Sequence, residues 1–333
     1  MTDKYLMTYL YSYKRKGEFT MARNIRVATF TINQLAECDY EKGVSTYDSV
    51  IKCLGKLIER VLPDKPDLLV LPEHCGRQNT LPERMREYYE GGYLKIFEYL
   101  KSVANNNHCY IAYSHLKYME DGTKRNCVSM IDRNGLVMGE YHKNYPTPDE
   151  TDIGGVIPGG DVSVFNCDFG TVCPIVCFDL NFDGIRKEIK EKKPDIITFH
   201  SAFHGSFMQE YFAYDTRSYF VSSLLSHNPS RILSPLGKVV ATTTNYHNFV
   251  TATINLDYAV CHLDFNWDKI RKAKEKYGPL LIVEDPGYIG SVLLSYEGTD
   301  KTINDIIEEY DLEILDNYMA RSIKNREENK EKK

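Results

Sequence analysis

Residues 24–32, NIRVATFTI, alternate apolar and polar side chains and are rich in β-branched residues; this period of two predicts a first strand. From Ser45 the spacing changes. Val50, Ile51, Leu54, Ile58 and Leu62 fall on one face of a helix, with Ser45 placed to cap its N-terminus. PDLLVLPE (66–73) is a short, unbroken apolar run, the pattern of a strand buried on both faces. A second helical stretch runs from Pro82 to about Ala104 and leads into the strand CYIAYSHL. CVSMIDRNGLVMGEYHK then reads as a hairpin with DRNG at its turn.

Residues 144–160, NYPTPDETDIGGVIPGG, interrupt this pattern with a Pro- and Gly-rich loop, long for a connection and therefore a candidate for function or disorder. Two strands pivoting at Gly170 follow, VSVFNCDFG and TVCPIVCF, then a helix over about Gly184 to Lys193 and the strand DIITFHS. A helix around 207–218 precedes further strands in YFVSSLLS, SRILSPLGKVVATTT and FVTATINL. A mixed sheet covered by helices buries such an order most naturally. The closing IKNREENKEKK is a charge run without apolar spacing, a frayed helix or a disordered tail.

Composition narrows the function classes. With 333 residues, 42% of them hydrophobic, the chain can bury one large α/β core or two smaller ones. Its net charge of −6 offers no basic surplus for nucleic acid. No run of about 18 apolar residues provides a membrane span, and MTDKYLMTYLYSYKRKGEFT reads as an extension rather than a signal. Nine cysteines, an odd number, without an export signal read as reduced thiols of a cytoplasmic protein. No CxxC pair and no nearby histidine cluster support a metal site, so none is expected.

Three polar residues close apolar strands: Glu73 after DLLVLP, Lys143 after LVMGEYH, and Cys177 after TVCPIV. Strand ends in α/β folds are where ligands bind and side chains converge. A thiol becomes a nucleophile as thiolate, which needs a base or a cation beside it. A partly buried carboxylate takes such a proton, and an ammonium stabilises an oxyanion. Each residue alone also has an ordinary reading. Glu73 and Lys143 can be solvated surface, and Cys177 can be inert core, a metal ligand or a redox partner of Cys173.

At these residues the chain resembles the nitrilase, or carbon–nitrogen hydrolase, superfamily. LLVLPE, EYHKNYP and PIVCFDLNF are similar to that family's glutamate, lysine and cysteine motifs and occur in its order, and flanking stretches also match from about Asn24 to Asp257. The resemblance implies a four-layer α-β-β-α sandwich and a Glu-Lys-Cys catalytic set without cofactor. Glu73 would be the general base and Cys177 the nucleophile, with Lys143 and the Phe178 backbone N–H stabilising the oxyanion. Glu150 would be the family's second glutamate, with Asp149 and Asp152 as competitors in the same loop, and Asp179 a local anchor for the cysteine turn.

CFDLNF looks more like the amidase and carbamoylase branches than the nitrile-hydrolysing ones. Asp183-Gly184 stands where many relatives have Pro-Glu, and His200 where they often have Pro, which puts the pocket rather than the catalytic set in question. His74, Tyr113, His200, Phe203 and Tyr211 are the pocket candidates. The implied activity is thioester-mediated hydrolysis of a small linear amide or N-carbamoyl compound. A true nitrilase and a catalytically silent relative that binds a small molecule or a partner protein are the alternatives. The resemblance further implies a homo-oligomer. The expected organisation is an extension over 1–22, a catalytic domain over 23–260, and a C-terminal extension over 261–333 that contacts a neighbouring subunit or the subunit's own edge and has a disordered charged end.

Overall fold

The computed structural model describes residues 22–32, 46–77, 93–225 and 228–330. The N-terminal extension, the Ser45 cap and the start of the second helix at Pro82 lie outside the described residues. Two compact units are present, one over 24–254 and one that includes Arg23 and 255–330.

In the larger unit the alternating segment forms β1 (Asn24–Ile32), and the apolar run forms β2 (Leu68–Val70). The hairpin region forms β3 (Tyr110–Tyr118), β4 (Lys124–Ile131) and β5 (Val137–His142). The turn between β4 and β5 needs Gly135, which sits at φ +73 with Lys101 O only 2.6 Å from where a Cβ would lie. The second half supplies β6 (Phe165–Asn166), β7 (Thr171–Val176), β8 (Ile196–Ser201) and β9 (Tyr219–Leu225). These strands join in the order β5-β4-β3-β2-β1-β9-β8-β7-β6.

Among the described residues the two halves of this sheet meet through two registered pairs, Thr31 with Leu224 and Ile32 with Leu225. So slender a junction lets the halves turn and pack face to face. Helices α1 (Thr46–Glu59) and α2 (Tyr93–Asn107) cover one half, burying Val50, Leu54, Ile58, Ile96 and Leu100 against Phe30 and Ile111. Helices α4 (Asp183–Lys192) and α5 (Phe207–Thr216) cover the other, with Ile185, Ile189 and Phe212 against Ile175 and Phe199. The result is the expected four-layer α-β-β-α sandwich.

Alternation explains which face each residue takes. On β3, Tyr113 turns to the helix side while Ser114 turns to the sheet interface; on β4, Cys127 and Asn126 divide in the same way. Direction matters as much. β1, β2 and β3 run parallel, as do β7, β8 and β9, and two antiparallel steps bring β5 back to the direction of β3. The carboxyl ends of β2, β5, β7 and β8 therefore open toward the same end of the sandwich.

The loop over 144–160 carries a short helix, α3 (Pro148–Asp152). Thr147 Oγ1 caps it by accepting from Glu150 N, Pro148 occupies its first turn, and Glu150 Oε2 accepts in return from Thr147 N at 2.7 Å.

The smaller unit holds an antiparallel sheet of β10 (Tyr258–His262), β12 (Ser291–Tyr296) and β11 (Leu281–Glu284). Helices α6 (Trp267–Tyr277), α7 (Ile303–Glu309) and α8 (Leu315–Lys330) accompany it. Cys261, Ile270, Leu294 and Ile306 form a core of its own. The charged end is helical as far as Lys330 rather than disordered, because Lys, Glu and Arg are good helix formers and Lys324–Glu328 adds an i,i+4 pair. Among the described residues no helix is long and apolar enough to cross a membrane. Seven described cysteines are free, but Cys53 is disulfide-bonded, which corrects the expectation of reduced thiols throughout.

Candidate active site

β2 ends in Leu71-Pro72, and Glu73 follows with only 4% of its surface exposed. Its Oε1 accepts from Asn126 Nδ2 at 2.9 Å and from Lys143 Nζ at 3.3 Å, and its Oε2 accepts from Ala202 N at 3.1 Å. Burial pushes this carboxyl up, but Lys143, His74 and Asn126 more than offset it and hold Glu73 below its ordinary value. It is an ionised, fully engaged carboxylate.

Lys143, directly after β5, is 1% exposed. Nζ donates to Glu150 Oε2 at 2.7 Å as well as to Glu73. Burial alone would lower its pKa, and the surrounding Glu73, Cys177 and Glu150 raise it instead. A buried ammonium with two carboxylate partners is compensated, whereas one with none would neutralise. Glu150 reaches this position from α3, where it also closes the capping box. Burial pushes Glu150 up, Lys143 pulls it down, and the net shift is downward.

Asn126 links the two carboxylates. Its Nδ2 donates to Glu73 Oε1 and to Glu150 Oε1, both at 2.9 Å, and its backbone carbonyl accepts from Lys143 N at 2.8 Å. The sequence reading missed it. The available clue was its place on the strand hairpinned to the lysine, on the side opposite Cys127.

Cys177 begins a tight single-turn helix, Cys177–Asn181, as β7 ends. Its φ of +48 is a left-handed conformation unusual for a residue with a Cβ, of the strained kind that concentrates at functional sites. Asp179 fixes the turn. Oδ2 accepts from Tyr141 OH at 2.7 Å and from Val176 N at 3.0 Å, while Oδ1 accepts from Tyr145 N at 2.8 Å. The cysteine turn is thereby tied to β5 and to the segment just beyond Lys143. Burial lifts Asp179 to about 6 against these hydrogen bonds. The Phe178 N–H lies in the first turn, where N–H groups have no partner within the helix.

Burial and then Glu73 push the Cys177 thiol up to about 12, against smaller opposing effects of Lys143, Ser201 and Ala202. The resting sulfur is therefore a thiol, not a thiolate. Attack on an electrophile must be accompanied by loss of the proton, and Glu73 is the ionised acceptor beside it.

Glu73, Lys143, Glu150 and Cys177 line one cavity of about 430 Å³. His74, at φ 51, also lines it. Its remaining walls include Asp149, the competitor of Glu150 in the loop, together with Leu116, Lys124, Ile153 and Val156, which sequence reasoning did not find.

Four other pocket candidates lie elsewhere. Tyr113 is core on the helix side of β3, stacked on His115 with centroids 5.1 Å apart. His200 is sealed between the sheets, donating from Nδ1 to Leu71 O at 2.6 Å and accepting at Nε2 from Thr198 at 3.0 Å. Phe203 packs edge-on to Phe199 at 6.0 Å. Tyr211 points outward from α5, with the Arg186 guanidinium 4.7 Å above its ring. Strand alternation turns Tyr113 and helix phase turns Tyr211 away from the cavity, whereas Phe203 sits in the loop after β8 and alternation puts His200 at the sheet interface.

The carbon–nitrogen hydrolase family model matches residues 26–260. Over 295 residues the chain is 24% identical to the deaminated glutathione amidase of Dictyostelium discoideum, covering 76% of this chain and 100% of that one. It is 22% identical over 228 residues to the omega-amidase NIT2 of Xenopus tropicalis, covering 61% of this chain and 82% of the relative. Among solved structures, a carbon–nitrogen hydrolase from Helicobacter pylori superposes with a TM-score of 0.62 at 15% identity, over 71% of this chain and 90% of that one.

Proposed function

Because this chain belongs to the carbon–nitrogen hydrolase family, we propose that it is a cysteine hydrolase of a small linear amide or N-carbamoyl compound. The observation that carries this reading is the convergence of an ionised Glu73, a charged Lys143 and a strained Cys177 on one cavity.

Cys177 Sγ attacks the substrate's carbonyl carbon as Glu73 takes the thiol proton. The carbonyl π electrons move onto oxygen, and Lys143 Nζ with the Phe178 N–H stabilises that oxyanion. When the tetrahedral intermediate collapses, the C–N bond breaks and the proton held by Glu73 passes to the departing nitrogen. Ammonia or an amine leaves, and a thioester on Cys177 remains. Glu73 then deprotonates a water, which attacks the thioester. The second tetrahedral intermediate expels the sulfur, which recovers a proton, and the acid is released.

Glu150 and Asn126 hold this set in place without touching the reacting atoms. Glu150 shares Lys143 with Glu73, and Asn126 keeps the two carboxylates at fixed separation. With two anionic partners, Lys143 remains charged throughout, so it serves as an electrostatic group and not as a proton carrier.

Amide hydrolysis is favoured over nitrile hydrolysis by the two amidase relatives, at 24% and 22% identity. The family resemblance also supports a homo-oligomer; a monomer by light scattering would remove that statement. The deciding experiment is ammonia release from matched amide, N-carbamoyl and nitrile panels, with Cys177→Ala as the blank. Faster nitrile turnover would reverse the preference. No turnover on any panel, with Cys177 slow toward iodoacetamide, would point to a silent binder.

A further inference from the structure

On the face of β3, β4 and β5 turned away from the cavity, a second set of polar side chains converges. Cys127 on β4 pairs in register with His142 on β5, and Glu140, two residues earlier, shares their face. One ligand atom from each lies within 4.8 Å of the other two. Cys127 is buried, and the other two are half-buried at the edge strand.

Sulfur, imidazole nitrogen and carboxylate oxygen together are the donors taken by zinc and neighbouring divalent transition ions. Calcium and magnesium take oxygen alone. Outer support is also present. Glu140 Oε1 accepts from Ser129 Oγ at 3.3 Å, and Ser129 pairs with His115 Nε2 at 2.8 Å. Hydrogen bonds of this kind orient a ligating carboxylate. His115, 3% exposed and in register with Cys127, has a buried Nδ1 without a hydrogen-bond partner among the described residues.

We propose that Cys127, Glu140 and His142 form a binding site for one divalent transition-metal ion of the zinc class, with a water completing four ligands. The ion displaces Lys117, whose Nζ donates to Glu140 Oε2 at 2.8 Å and whose side chain is 34% exposed and free to swing outward. It also replaces the 3.4 Å contact between His142 Nε2 and Glu140 Oε2. On binding, the Cys127 S–H bond breaks, sulfur bonds the metal and the proton leaves to solvent. His142 binds as neutral imidazole. No oxidation or reduction is involved.

The site has a route to the cavity. Asn126 and Lys143 are the chain neighbours of Cys127 and His142 and face the opposite way. An ion clamping β4 to β5 acts directly beneath both, so occupancy is coupled to the alignment of Glu73, Lys143 and Glu150. The coupling is reciprocal, and a ligand in the cavity shifts metal affinity by the same factor. The metal site itself does not depend on the reaction proposed above.

The test uses Co²⁺ as probe on the full chain carrying Cys177→Ser, which removes the cavity thiol. One equivalent should bind and give a thiolate-to-cobalt charge-transfer band, and Zn²⁺ should displace it. Adding Cys127→Ser should abolish the band. His142→Gln, a half-exposed change that spares the core, should weaken Co²⁺ binding by at least about 100-fold, the upper end for loss of outer-shell partners alone. Circular dichroism confirms that each variant is folded. Absence of a sulfur band in Cys177→Ser overturns the proposal. So does a band that survives in the folded Cys127→Ser variant, or affinity unchanged by His142→Gln.

Discussion

Replacing Glu73 by glutamine separates two roles that the geometry assigns to one carboxylate. Glutamine keeps an oxygen facing Asn126 Nδ2 and Lys143 Nζ, where Oε1 now accepts at 2.9 and 3.3 Å. Its amide NH₂ then opposes Ala202 N, which donates to Oε2 at 3.1 Å in the native chain. One buried backbone donor loses its partner, at a cost of about 1–3 kcal/mol. Lys143 retains Glu150 at 2.7 Å, so no cation is stranded and the fold survives. Turnover falls far more, because a lost general base typically costs on the order of 10²–10⁴-fold. The thiol moves the other way. Glu73 is, after burial, the largest influence raising Cys177, so removing its charge makes the thiol more acidic. Each unit of that fall raises the thiolate fraction about tenfold at neutral pH. Iodoacetamide should therefore alkylate Cys177 faster in the variant while ammonia release collapses. Peptide mass spectrometry gives the first rate and an ammonia assay on the same preparation gives the second. Slower alkylation in the variant would mean that proton uptake by Glu73, and not its charge, governs the sulfur, and native turnover would mean that it is not the base.

Cys177→Ala should abolish turnover in a folded protein, whereas Cys173→Ala, fully buried in the β7 core, should retain turnover and lose on the order of 1 kcal/mol in denaturant titration; loss of turnover in both would reopen a joint role for the pair. Asn126→Asp is isosteric but sets a third carboxylate against two others. Like charges about 4 Å apart at an effective dielectric near 20 repel by about 4 kcal/mol, so one group takes up a proton and the pH–rate profile should shift, with turnover down at least about tenfold. An unshifted profile would mean that Asn126 only fills space. Asp179→Asn should lower kcat more than it raises KM, since one of three donors converging on Asp179 loses its acceptor and the Cys177 turn loosens; an unchanged kcat would contradict that. Burial holds His115 and His200 at about 4, so both are neutral in the fold and charged more readily when unfolded. Their stabilisation is complete above the ordinary histidine value of about 6.5 and is lost as pH falls through about 4. Glu73 and Glu150, held low, add stability above about 4.3 that disappears as pH falls through their folded values. A denaturation midpoint that stays flat between about pH 7 and 4 would refute this assignment.

Much of the architecture was legible in one dimension because burial writes a period into the chain. The two-residue alternation of β1, the helical spacing from Val50 to Ile58 and the Gly135 turn each answer to local geometry, and all appear where the pattern puts them. Glu73, Lys143 and Cys177 were visible as polar residues closing apolar strands, since a strand that ends at a ligand-facing edge changes composition there. Their meeting was not visible. It depends on two antiparallel steps returning β5 to the direction of β2, and on two half-sheets packing face to face.

The aromatic candidates failed for the same reason. Tyr113 and Tyr211 have the right chemistry, but which side of a strand or helix faces the cavity is settled by neighbours distant in sequence. Asn126 and the cavity walls from Lys124, Ile153 and Val156 were likewise hidden, because they acquire a role only when β4 and the loop carrying α3 are brought together. Periodicity and composition along the chain specify the elements and the reactive residue types. Tertiary structure alone decided which of them share a cavity, which carboxylates share a proton-holding lysine, and how burial sets their charge, because each of those depends on distance through space rather than along the chain.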